Sequence, residues 1–142
     1  MVHLHQSTKP TSEKSVDRKW HLIDVKGKRL GRICNDIAII LQGKQKVSYS
    51  NNIDMGDEVV VINAKYIAIT GKKAEDKKYT YFSGYPGGLR EISFNKLLET
   101  KPTEIIRHAV MGKLPKNKLR NKRIARLHIY PENQHAHADK IV

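Results

Sequence analysis

A single cysteine, Cys34, excludes an internal disulfide and a Cys-rich zinc site. Acid is scarce too: 14 Asp+Glu stand against 27 Lys+Arg, a formal net charge of +13. The pI of about 9.9 lies in the range expected of a nucleic-acid-binding domain. Such a basic excess repels itself in a compact chain and makes sense when the partner is a polyanion. Long apolar runs are missing. The longest, Ile37 to Leu41 and Val59 to Ile62, fall well short of a bilayer span, so no membrane partner is expected. The first nineteen residues are polar and lack an apolar signal core. Glu13 and Asp17 also argue against an organellar transit peptide, and a reducing, cytoplasmic location is expected.

The 142 residues suffice for one domain with a hydrophobic core. Composition divides the chain into an extended N-terminal arm (1–18), an α/β domain (19–131) and a C-terminal tail (132–142). Residues 20–25 are short and β-prone and stop at Gly27. Leu30, Ile33, Cys34, Ile37, Ala38 and Leu41 follow helical spacing, with Gly43 as the stop. Residues 58–63 form a β-branched run suited to a strand buried on both faces. Together they predict a βαβ unit with parallel strands.

Residues 66–70 read as another strand, and 71–90 as a polar, aromatic, glycine-rich loop. Ser93 is expected to cap a short helix carrying Phe94, Leu97 and Leu98. Pro102 begins another helix, through Ile105, Ile106, Ala109 and Val110, which Gly112 and Pro115 end. Residues 119–126 are read as helical, and Leu127 to Tyr130 as a short strand.

Three segments concentrate positive charge. Lys113, Lys116, Lys118, Arg120, Lys122, Arg123 and Arg126 form a run without an acidic residue, a strong attractor for phosphates. Lys26, Lys28, Arg29, Arg32, Lys44 and Lys46 bracket the first helix, whose N-terminal amides suit a phosphate oxygen. Lys72, Lys73, Lys77 and Lys78 interleave with Tyr79, Tyr81, Phe82 and Tyr85, aromatic faces that either stack on unpaired bases or pack on the domain. Ser83, Gly84, Gly87 and Gly88 allow close backbone approach to a sugar-phosphate chain.

Enzyme signatures are incomplete. Gly27 and Gly31 lack dinucleotide-site spacing, and Thr70-Gly71-Lys72-Lys73 is only the tail of a phosphate loop. Cys34 belongs to the apolar stripe. His135 and His137 form an H-x-H that needs further ligands to hold a metal, and a polar C-terminal tail that touches RNA is the preferred reading. Asp54, Asp57 and Glu58 read as a turn without a catalytic partner. No catalytic residue, cofactor, metal or small-molecule substrate is expected. An enzyme on the same core, or a free regulator of RNA or DNA, are the competing classes.

From Trp20 onward the chain resembles the bacterial-type ribosomal protein L-thirteen family of the large subunit. The resemblance rests on Trp20, Ile23-Asp24, Leu30-Gly31-Arg32, Leu41 to Lys46, Tyr49, Asp54-Met55-Gly56-Asp57, Val61 to Ala64 and Thr70 to Lys73. It continues through Ser83 to Gly88, Ala109 to Asn117 and His135-Ala136-His137. The sequence departs from the family pattern at Ser50, Asn51, Asn52, Tyr81, Phe82, Lys113 and Gln134. The resemblance implies a three-layer α/β domain with a mostly parallel central sheet, helices on both faces, and extended basic loops and tails. It also implies a structural constituent of the large ribosomal subunit that binds large-subunit rRNA and supports early assembly. Neighbouring large-subunit proteins are further partners, Tyr49 joins the RNA-binding residues, and mRNA binding in translational control stays open as a second role. The ribosome is bacterial or organellar.

Overall fold

The computed structural model describes Ser12 and residues 16–141. The expected N-terminal arm lies mostly outside the described residues. The order is β1 (Trp20–Asp24), α1 (Leu30–Gln42), β2 (Glu58–Ile62), α2 (Lys73–Asp76), β3 (Lys78–Phe82), β4 (Leu89–Ser93), α3 (Phe94–Thr100), α4 (Pro102–Lys113), α5 (Leu119–Ala125) and β5 (Leu127–Ile129). Single 3-10 turns occupy Ala64–Tyr66 and Ala138–Lys140. This is a single α/β domain whose main sheet is parallel, in the order β1-β2-β5.

The β-branched run takes the central strand, where Val59, Val60, Val61 and Ile62 are all buried. Val59 and Val61 join the main core with Leu30, Ile33, Ile37 and Leu41 of α1 and Ile105, Ile106 and Val110 of α4. The alternate strand positions face the other way. There Trp20 and His128 stack, and His137 of the C-terminal segment packs against both rings. The third layer is therefore this C-terminal segment, whose only helical turn among the described residues is Ala138–Lys140.

Three expectations need correction. Residues 66–70 do not form a strand. Asn63 turns left-handed at φ 62°, donates its side-chain amide to Asp24 at 2.8 Å, and directs the chain away from the sheet. β5 pairs with β2 instead, and Ala68 keeps one isolated bridge to Arg29 at the start of α1. Within the expected loop 71–90 lie α2, β3 and the start of β4. β3 and β4 form an antiparallel ribbon, Tyr79 opposite Ile92 and Phe82 opposite Leu89. Ser93 precedes α3 without a side-chain capping bond.

The segment before β2 lies tightly against the end of α1. Gly43 takes φ 75° and closes α1 through N–H bonds to Ile39 and Ile40 carbonyls. A Cβ on Gly43 would meet the Met55 carbonyl oxygen at 2.5 Å, and one on Gly56 would meet that of Leu41 at 1.9 Å. Backbone cannot retreat as a flexible side chain can. Gly56→Ala should therefore cost about 1–3 kcal/mol, read as a lower urea midpoint at constant m. An unchanged midpoint would show that the two segments can separate freely.

Candidate nucleic-acid interface

The N-terminal end of α1 meets α2 and the last turn of α4 at a groove of about 410 Å³. Arg29, Arg32, Lys73, Lys77 and Lys113 line it, so cations from all three basic segments converge there. Its floor includes Cys34, and the Ala68–Thr70 backbone forms one wall. The Leu30 amide at the helix start already donates to the Ala68 carbonyl at 3.0 Å. The side-chain cations are thus the main attraction for an anion. Arg29, Arg32, Lys73 and Lys113 are exposed, while Lys77 is half-buried with its ammonium 5.2 Å from the Tyr79 ring centre.

A second groove, about 730 Å³, opens at the other end of α1. Lys113 lines this one too, with Lys44 and Tyr49. The sequence reading missed three further lining residues, Gln42, Asn51 and Asn117. Uncharged amides in loops give no charge signal, so only their position in space reveals them. Lys28 is exposed beside Arg29 and Arg32 at a shallower concavity.

The basic run of residues 113–126 does not behave as one face. Lys116, Lys118 and Lys122 are exposed. Arg120 instead turns back to the Met111 carbonyl, with Nε at 3.1 Å, and closes the end of α4. Arg123 and Arg126 are 1 % and 7 % exposed, so they do not share the surface with the lysines of the run. Arg126 makes a two-pronged bond to Asp54, Nη2 to Oδ1 at 2.6 Å, and also reaches the Leu41 carbonyl at 3.3 Å. Arg123 Nε lies 3.6 Å from the same carboxylate. The run has a counter-charge after all, brought from far upstream. Burial pushes the Asp54 carboxyl up, but the Arg126 bonds and the Arg126, Arg123 and Arg18 charges outweigh it and hold the carboxyl below its usual range.

Lys46 is engaged in the same way. Its ammonium sits 2.5 Å from Asp57, which also accepts from the Lys19 amide at 3.1 Å and the Gln45 amide at 3.1 Å. Asp54 and Asp57, two of the three acids read as a turn, are thus anchors for basic residues.

In the ribbon, Ser83 and Gly88 close the β3–β4 turn, the Ser83 N–H donating to the Gly88 carbonyl at 3.2 Å. Gly84 and Gly87 hold positive φ, and Gly88 leaves no room for a Cβ beside Ser83. Tyr85 is exposed at the tip with Tyr81 and Phe82, while Tyr79 packs on the domain against His108. Lys72 is exposed just before α2.

Comparison with known proteins decides the relationship. The family described as Ribosomal protein L13 matches residues 18–136. The large ribosomal subunit protein uL13 of Caldanaerobacter subterraneus is 53 % identical over 122 residues, 86 % of this chain and 85 % of that protein. Its namesake from Clostridioides difficile is 49 % identical over 123 residues, covering 87 % and 86 % of the two chains. The one from a Psychrobacter species is 48 % identical over 133 residues, covering 94 % and 92 %. The chain belongs to the ribosomal protein L13 family. This family consists of structural ribosomal proteins, not enzymes.

In this L13-family chain the two C-terminal histidines pack rather than reach outward. The His137 ring lies 4.9 Å from Trp20 and 4.5 Å from His128, and His135 lies 6.0 Å from Tyr130. Burial, then His128, Lys140 and His135, push the His137 imidazolium below its ordinary pKa. Among the described residues no group of three His, Cys, Asp or Glu side chains could hold a metal. No described helix is long and apolar enough to cross a membrane.

Cys34 is 1 % exposed, and burial pushes its thiol up to about 12 despite the nearby Lys113 and Lys77 charges. It should therefore resist alkylation at pH 8 in the folded protein and react only on unfolding. Cys34→Ala should cost about 1–2 kcal/mol and leave RNA binding intact. Rapid labelling of the native protein would contradict this.

Proposed function

We propose that the chain is a structural constituent of the large ribosomal subunit that binds large-subunit rRNA and supports early subunit assembly in the cytoplasm. Neighbouring large-subunit proteins complete its contacts. The observation that carries this reading is the convergence of Arg29, Arg32, Lys73, Lys77 and Lys113 on one groove, with Lys113 shared by a second. Cations distant in sequence but adjacent in space can neutralise several phosphates of a folded RNA at once. Lys28, Lys44, Tyr49, Lys72, Lys116, Lys118 and Lys122 extend this surface, and the exposed Ser83–Gly88 turn with Tyr85 reaches beyond it. In this reading residues 19–131 are the RNA-facing body and 132–142 a tail, which His137 and Lys140 pin against Trp20.

The test is sedimentation. The protein should travel with large subunits in a sucrose gradient and stay with them through a moderate-salt wash. Recovery at the top of the gradient in low salt would overturn the ribosomal reading and favour a regulator acting off the ribosome.

A further inference from the structure

At the C-terminal end of α1 two buried polar side chains line the second groove. Gln42 is 6 % exposed and Arg123 1 % exposed, and both line the groove. Arg123 Nε is buried with no hydrogen-bond partner, its carboxylate contact to Asp54 standing at 3.6 Å. Buried polar groups are normally satisfied, and an unsatisfied guanidinium nitrogen beside this opening calls for an explanation. The rest of the lining supplies one. Lys44 and Lys113 bring positive charge, and Asn117 another amide. Tyr49 brings an aromatic ring, held by its hydroxyl donating to Asn51 at 2.6 Å.

We propose that this groove seats a single unpaired RNA nucleotide. Its phosphate meets Lys44, Lys113 and Arg123, its base lies against the Tyr49 ring, and the Gln42 and Asn117 amides read the base edge. A bare phosphate would need the cations alone, whereas a ring and amides match a base. Bases in an A-form duplex are closed to such contacts, while splayed bases stack on aromatic side chains and expose their edges. The groove volume, about 730 Å³, lies among ligand clefts, which span roughly 300–1,000 Å³. The inference rests on the RNA-binding reading but names a local ligand that this reading does not require.

The experiment has two arms on the full chain. In the first, a single-stranded RNA oligonucleotide and a duplex of equal length are titrated into the protein and into Tyr49→Leu, with circular dichroism to verify folding. Tyr49→Leu should weaken single-strand binding by about tenfold, from the loss of one base stack, and leave duplex binding unchanged. Equal losses on both RNAs, or none on the single strand, would overturn the nucleotide seat while leaving general RNA binding in place. Binding of neither RNA by the unsubstituted chain would overturn both. The second arm needs no variant and decides the matter if Tyr49→Leu fails to fold. Adenosine monophosphate should shift the Gln42 and Asn117 side-chain amide and Arg123 Nε–H resonances. Inorganic phosphate at the same concentration should leave the two amides in place. Equal shifts with phosphate alone would reduce the groove to an anion site and sink the base-reading claim.

Discussion

Asp54→Ala should destabilise the free protein by about 3–5 kcal/mol, because it strands buried positive charge that no other carboxylate among the described residues neutralises. Asp54 is 6 % exposed and is the carboxylate that meets both Arg126 and Arg123. Removing it leaves two guanidiniums in the interior, and burying an unpaired charge costs far more than the pair contributes. Asp54→Asn keeps an acceptor for Arg126 but not the charge, so its loss should be smaller. Urea unfolding measures both, and a cost under about 1 kcal/mol for Asp54→Ala would show that the arginines find water or another acceptor.

The pH dependence has a definite sign. The folded state holds the Asp54 carboxyl below its ordinary 3.8, so the unfolded chain binds the proton first as pH falls. The contribution is present above about pH 4 and is lost as pH drops through the folded value. Asp57 is depressed as well, against its own burial, by Lys46, the Lys19 amide and His21. Acid unfolding of the native protein should therefore be steeper than that of Asp54→Asn.

Much of this fold can be read from patterns that involve neighbours in sequence. The stripe from Leu30 to Leu41 repeats every helical turn, and the run from Val59 to Ile62 has no polar alternation, so helix and central strand are apparent without tertiary information. The β3–β4 ribbon was hidden because nine of its ten strand residues are exposed, with only Tyr79 packed on the domain. Strands such as Leu89–Ser93, exposed throughout, carry no inward–outward alternation. Residues 66–70 misled in the opposite direction: their apolar character serves Ile67, which packs in the core beside the start of α1. The site divides similarly. Charge density located the basic segments, and it could not separate Lys122 from Arg123. Spacing offered a partial signal, since Arg123 lies beside Ile124 and three residues from Arg120 and Arg126, on the side of α5 that turns inward. The acid that claims the arginine stands 72 residues from Arg126, beyond any local pattern.

That division changes which substitutions report on RNA. Replacing Arg29, Arg32, Lys73, Lys77 and Lys113 with Gln should leave the core intact, since none belongs to it. It should weaken binding to an rRNA fragment and flatten the dependence of log K on log salt by roughly 0.7–0.9 for each phosphate no longer neutralised. Should all five touch phosphate, the slope falls by roughly 3.5–4.5, and the affinity difference between variant and parent shrinks as salt rises. Lys116→Gln, Lys118→Gln and Lys122→Gln form a second folded set that reports on the exposed edge of α5. Arg120, Arg123 and Arg126 belong in neither set. Their guanidiniums close α4 and neutralise Asp54, so their replacement should lower the urea midpoint before it reveals anything about phosphate. Each variant is therefore to be measured twice, by unfolding and by salt titration. A folded groove variant whose salt slope matches the parent's would show that these five cations are merely solvated, and that the RNA lies elsewhere on the molecule.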